Sequence, residues 1–178
     1  DLAKNNKSVL EVGVYMGHSL LIMLLANPKL DITCIDIEDR YSLPAVEYLK
    51  ENFKDANIKF LKGDSVKLFK NIKKDFDLFH IDGCHSSHII AKETLLCLKI
   101  KKTNFIKVLF DDIDFMKEVK KNILTIFTVT KEITTECKGR NCYLEFNFSD
   151  NEIKKFKNFY IIYLFSSSVK RFFNFFYS

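Results

Sequence analysis

The stretch 8–19, SVLEVGVYMGHS, restricts the fold of this chain more than any other. A short apolar run (Val9, Leu10, Val12) carries one acid, Glu11. It breaks at Gly13-Val14-Tyr15-Met16-Gly17, and an apolar segment of helical character follows over 20–25. Strand, glycine turn and helix are how an α/β sheet presents a helix N-terminus to a ligand. Gly13 can take backbone angles closed to other residues. Gly17 is expected to let a ligand approach the main chain, where the N–H groups beyond it attract anionic or carboxylate groups. The spacing is E-x-G-x-Y-x-G-x-S, not the dinucleotide pattern G-x-G-x-x-G. Tyr15 stands where a middle glycine would be. A strand-turn-helix that binds nothing is the alternative, and the later strand ends decide between the two.

Apolar runs and helical spacings alternate from there on. Strands are expected over 31–37, ending in Asp36, over 58–61, closed by Gly63-Asp64-Ser65, over 76–81, ending in Asp82-Gly83, and over 105–110, ending in Asp111-Asp112. Helices are expected over 43–53, 66–72 and 88–98, and from Asp114, as a cap, to Leu124. This alternation implies a parallel sheet covered on both faces. The pattern changes after Leu124. Segments 126–136 and 142–148, rich in β-branched and aromatic residues, flank Lys138-Gly139-Arg140-Asn141 and read as an antiparallel hairpin.

In open parallel sheets ligands sit beyond the carboxyl ends of the strands. Strands two to five all end there in acids: Asp36, Asp64, Asp82 and the pair Asp111-Asp112. One such acid reads as a helix cap; four in succession outline a site. The run HIDGCHSSH over 80–88 holds three of the four histidines. One reading is a hydrolase metal centre built from His80, Asp82, His85 and His88. Against it, the chain has no partner H-x-H motif. The other reading needs only Asp82 and His85.

The E-x-G-x-Y-x-G-x-S stretch, taken with Asp82-Gly83-Cys84-His85, resembles the class I S-adenosylmethionine-dependent methyltransferases. More narrowly it is similar to the metal-dependent O-methyltransferases of the catechol and macrocin (sugar) types. The resemblance covers about residues 8–114 and, loosely, the hairpin. It implies a Rossmann-like α/β methyltransferase fold: a mostly parallel seven-stranded sheet of order 3-2-1-4-5-7-6, a C-terminal antiparallel hairpin, and helices on both faces. It also implies that Glu11, Gly13, Tyr15, Gly17 and Ser19 line the methionine end of S-adenosyl-L-methionine. Asp36 would hold the ribose hydroxyls, with Glu38 and Asp39 competing, and Asp64 and Ser65 would meet the adenine amine. Ser65 also reads as a helix N-cap. Asp82, also at the cofactor, would join Asp111 and Asp112 on one divalent cation, and three hard oxygen donors favour Mg²⁺. His85 would be the general base. The acceptor implied is a hydroxyl of a sugar, nucleotide-sugar or small polyol; a catechol-type acceptor comes second, because histidine and not lysine follows Asp82. The family's Gly-Gly turn before strand five is replaced here by Lys101-Lys102-Thr103-Asn104.

At 178 residues, 47% hydrophobic and 29% charged, the chain is long enough for one globular domain spanning 1–178. It starts only seven residues before the first apolar run, so a module of a longer protein is also expected. The net charge of +5 comes from scattered lysines. Without a basic block, these read as a solvated surface with no nucleic-acid partner. The five cysteines form no C-x-x-C pair. Cys34 and Cys97 read as core residues, and Cys137 and Cys142 flank a turn across which they can pair. With no other framework, reduced thiols and a cytoplasmic setting are expected. The late apolar run 159–165 falls short of the ~20 residues that span a bilayer, so no membrane partner is expected. The aromatic tail 156–177 reads either as a last helix covering the sheet or as a homo-oligomer or inter-domain surface. Two rivals from other classes stand beside the enzyme reading: the hydrolase above, and a non-catalytic methyltransferase-like binding module.

Overall fold

The computed structural model describes residues 2–112, 114, 116–134 and 141–161. β1 (Ser8–Val12), β2 (Asp31–Asp36), β3 (Asn57–Lys62), β4 (Leu78–Ile81) and β5 (Phe105–Phe110) run parallel, joined through helices. β7 (Cys142–Asn147) lies antiparallel to β5 and to β6 (Thr128–Thr134). The sheet order is β3-β2-β1-β4-β5-β7-β6, as the resemblance implied.

Burial explains the patterning. β1, β2 and β4 are buried along nearly their whole length, because helices cover both faces of a parallel sheet. Side chains alternate between two cores. Val9, Ile32, Ile58 and Leu78 pack with α1 (His18–Ala26) and α2 (Ser42–Asn52) on one face. Leu10, Val12, Phe79 and Val108 pack on the other with α4 (Ser87–Ile100) and α5 (Lys117–Ile126). β6 ends the sheet and is exposed at almost every position. A last helix over 150–161 seats Phe156 in the second core, with its ring centroid 5.4 Å from that of Phe127.

Several local expectations change. α3 (Ser65–Leu68) is shorter than expected, and a 3₁₀ turn (Phe69–Asn71) continues it. Its N-cap is Asp64, not Ser65: the Asp64 carboxylate accepts from the backbone N–H groups of Val66 (2.9 Å) and Lys67 (3.4 Å). α5 begins at Lys117 with Met116 at the N-cap, so Asp114 does not cap it and pairs instead with Lys117 at 3.0 Å. The missing glycines before β5 are replaced by a charged tie. Lys101 Nζ donates to the Phe76 carbonyl (2.9 Å) and pairs with Asp75 (3.0 Å), and β5 still starts at Phe105. Cys34 and Cys97 are buried thiols, and Cys142 is a free thiol. Cys137 and the tail beyond 161 lie outside the described residues. Among the described residues no helix is long and apolar enough to cross a membrane.

Gly13 is where β1 and β4 converge. At φ +89°, a Cβ on it would stand 2.1 Å from the Asp82 carbonyl oxygen. The glycine is therefore required by the β4 backbone, before any ligand is considered. Gly13→Ala is expected to destabilise the fold by roughly 2–4 kcal/mol in urea denaturation, since strain and a backbone clash coincide. A loss below about 0.5 kcal/mol would contradict the close approach.

Candidate active site

The carboxyl edge of the parallel strands surrounds a cavity of about 740 Å³, within the range that takes a small organic ligand. Its position follows from the sheet's last hydrogen bonds. Gly13 N–H donates to Ile35 (2.9 Å), Gly63 N–H to Asp36 (2.8 Å), Asp82 N–H to Val12 (2.8 Å) and Asp111 N–H to Ile81 (3.1 Å). Each rung lands on the first residue past a strand, so the loops leave the sheet side by side.

The glycine loop is held by an acid on the neighbouring strand. Asp36 Oδ2 accepts from the backbone N–H groups of Val14 (2.9 Å) and Tyr15 (2.8 Å), and Oδ1 from that of Glu38 (2.9 Å). Tyr15, at φ 48°, pays backbone strain for this geometry and leaves its ring exposed against Tyr41. Gly13, Tyr15 and Asp36 line the cavity, as does Glu38. Asp39 does not: it is drawn to Lys62 at 2.6 Å.

Glu11, Gly17 and Ser19 stand outside the cavity lining. The expectation that Gly17 opens the main chain to a ligand is corrected. A Cβ there, at φ +72°, would meet Ala45 of α2 at 3.1 Å, so this glycine lets α1 and α2 pack. Glu11 is fully buried. Ser19 Oγ donates to its Oε1, His80 Nδ1 lies 3.1 Å from the same oxygen, and Oε2 has no hydrogen-bond partner among the described residues. Glu11 and His80 are register partners on β1 and β4, which is why they meet. Burial disfavours the His80 cation, but Glu11, with Asp82 and Asp111 behind it, outweighs burial and raises the His80 pKa.

At the β4–β5 end, Asp82, His85, Asp111 and Asp112 line the cavity. Burial, with the adjoining Asp111 carboxyl, pushes Asp82 up to about 7 against the opposing pull of His80. Asp112 takes a different direction. At φ 52°, with its N–H donated to Asp111 Oδ1 at 2.9 Å, it turns its Oδ2 to His85 Nδ1 at 2.7 Å. Asp82, Asp111 and Asp112 therefore do not converge as three ligands. Among the described residues no three His, Cys, Asp or Glu side chains are grouped to hold a metal ion. What the edge offers a cation is the Asp82–Asp111 pair, and one or two carboxylates completed by water and ligand oxygens suit Mg²⁺. The four-residue hydrolase centre is not assembled either: His80 turns to Glu11, and His88 Nδ1 lies 2.6 Å from Ser86 Oγ.

At the far end, Asp64 and Ser65 line the cavity beside a residue absent from the sequence reading, Glu93 of α4. Glu93 is fully buried. Its Oε1 accepts from Ser65 Oγ at 2.5 Å, and its Oε2 has no partner among the described residues. The available signal was a lone acid on the apolar face of a helix.

The strand order, the glycine loop and a cavity on the carboxyl edge define a Rossmann-like α/β domain. Residues 10–113, more than half of the chain, match a family described as a methyltransferase domain, and the chain belongs to that family. It is similar to a provisionally named caffeoyl-CoA O-methyltransferase of Arabidopsis thaliana, 36% identical over 98 residues that cover 53% of this chain and 42% of the relative. It is also similar to a tapetum-specific methyltransferase of the same plant, 31% identical over 99 residues with the same coverage. The chain thus spans less than half the length of these curated relatives. Among solved structures, the O-methyltransferase TomG of Streptomyces achromogenes, crystallised with S-adenosylmethionine, shares the fold. Its TM-score is 0.62 at 15% identity, covering 82% of this chain and 75% of that one.

Burial raises the Glu93 pKa to about 7 from an ordinary 4.5, with Asp64 adding to the shift and Ser65 opposing it. A carboxyl held above its unfolded value contributes fully below pH 4.5 and loses stability as pH rises to about 7. Glu93→Gln has no such loss. Its stability relative to wild type should therefore increase from pH 4.5 to pH 8, by on the order of 3 kcal/mol at most, in thermal or urea unfolding. A difference independent of pH would contradict the burial of a titrating acid.

Proposed function

We propose that this domain transfers a methyl group from S-adenosyl-L-methionine to a hydroxyl of a small molecule. The observation that carries this reading is the cavity, with the amide-holding Asp36 and its neighbour Glu38 at its middle, Ser65 and Glu93 at one end, and His85 with Asp112 at the other. Family membership supports it, as does the cofactor bound in TomG. Asp36 keeps lone pairs beyond its three amide partners, and Glu38 adds a second carboxylate, so a ribose diol finds acceptors at the middle of the cavity. Glu11, buried outside the cavity lining, holds Ser19 and His80 behind the glycine loop.

The reaction forms an O–CH₃ bond and breaks a S–CH₃ bond; the sulfonium supplies the electrophilic methyl group. The chain must remove the hydroxyl proton. With its Nδ1–H donated to Asp112, His85 carries its basic lone pair on Nε2, and Asp112 stabilises the imidazolium that forms. Asp82 and Asp111 would hold a divalent cation, Mg²⁺ by their chemistry, which would polarise the acceptor oxygen. The acceptor we infer is a sugar, nucleotide-sugar or small polyol, on the Asp82-Gly83-Cys84-His85 sequence. The name of the Arabidopsis relative favours an aromatic, catechol-type hydroxyl as the second reading. We take this domain, alone or as a module of a longer chain, to act in the cytoplasm, consistent with the free thiols among the described residues, and without nucleic acid.

Methyl transfer to a panel of nucleotide sugars, polyols and catechols, with Mg²⁺ and with EDTA, tests this reading. His85→Ala is expected to lower kcat roughly 10²–10⁴-fold while leaving S-adenosylhomocysteine affinity near wild type. An unchanged rate removes His85 as the base, and full activity in EDTA removes the cation.

A further inference from the structure

The mechanism leaves one buried acid unused. Glu93 reaches the cavity wall from α4, while the loop after β3 brings Ser65 to meet it across 28 positions of sequence. A serine hydroxyl has one proton. Here that proton is donated to Glu93 Oε1 at 2.5 Å, so Ser65 Oγ, which is only part-buried, has lone pairs and no hydrogen to offer the cavity. Glu93 cannot easily be replaced by water in this task, because it is fully buried. Among the described residues its second oxygen has no hydrogen-bond partner. Among the described residues the side chains at this end of the cavity therefore offer acceptors and no donor, between the apolar side chains of Val66 and Ile89. A flat apolar body carrying N–H groups fits it. Of the parts of S-adenosylmethionine, the adenine ring with its exocyclic amine has that chemistry, and the carboxylate and the sulfonium do not. Asp64 is less suited, because its carboxylate is occupied in capping α3.

We propose that Glu93 is a positioning residue that fixes Ser65 as a hydrogen-bond acceptor, and that this pair makes the cofactor site selective for a 6-aminopurine. The proposal rests on the cofactor reading above. A 6-oxopurine in the same place would set its carbonyl oxygen against Ser65 Oγ, oxygen lone pairs facing oxygen lone pairs. Sites built around one hydrogen-bonding group reject the analogue that lacks it. Removing the Glu93 carboxylate would let the Ser65 hydroxyl rotate and donate, so a 6-oxo group would be accepted.

The test is calorimetric titration at pH 8 with S-adenosylhomocysteine and with its 6-oxo counterpart, S-inosylhomocysteine. Wild type is expected to favour the amino form on the order of 10²-fold. Glu93→Leu should bring that ratio below about tenfold. Ser65→Ala, a part-exposed change that leaves the core intact, should do the same, and the double variant should lose no more than either single one. Equal weakening of both ligands by Glu93→Leu, with the ratio unchanged, would make Glu93 merely structural and overturn the proposal. A wild-type ratio near one would also overturn it while leaving the cofactor reading standing. Failure of wild type to bind either ligand would overturn both.

Discussion

The last rungs of the parallel ladder fix everything that follows. Gly13, Gly63, Asp82 and Asp111 each donate a backbone N–H to the neighbouring strand at the first position past their own strands. Four loops therefore depart at one level, and whatever side chains the sequence places there must share one space. Gly13 sets how tightly. Without a Cβ it lets the β4 backbone at Asp82 come within a distance no side chain would permit. The cavity is the gap this arrangement leaves, and its chemistry is the chemistry of strand ends.

That chemistry is acidic, and the fold deals with each charge differently. Asp36 is neutralised by amide dipoles, Asp64 by the N-terminus of a short helix, and Asp112 by His85. Asp111 accepts the Asp112 N–H, and burial together with the adjoining Asp111 charge raises the Asp82 pKa. Glu11 shares its buried oxygen with Ser19 and His80. Among the described residues, Glu11 Oε2 and Glu93 Oε2 are buried carboxylate oxygens with no hydrogen-bond partner. Buried carboxylate oxygens without donors are costly, and a ligand amine would relieve the one at Glu93, which lines the cavity.

Much of the fold was legible in the sequence, because its signals are local. Apolar runs of four to seven residues punctuated by glycine or aspartate marked the parallel strands, and the β-branched stretch after Leu124 marked the hairpin. The strand-end acids were legible for the same reason. What was not legible depends on contacts far apart in the chain or on side-chain direction. Glu93 meets Ser65 only because α4 packs beside α3, and nothing in its neighbourhood of sequence marks it. Gly17 looked like a ligand-facing glycine, but its open side faces Ala45. Asp111 and Asp112 looked like a joint ligand pair, yet a left-handed φ at Asp112 sends consecutive carboxylates to different partners. Capping at Met116 and not Asp114 likewise follows from backbone angles that a sequence pattern does not carry.

The central claim is that this one cavity holds S-adenosylmethionine through groups contributed by successive strand ends. Calorimetric titration of the purified chain with S-adenosylmethionine, beside Asp36→Ala, tests it most directly. The account predicts one site per chain and a roughly 5- to 150-fold weaker affinity in the variant, the 1–3 kcal/mol that charge-assisted hydrogen bonds to the ribose and the ordering of the loop amides contribute. Absence of binding to the folded wild-type chain, or identical affinity in the two proteins, would contradict it.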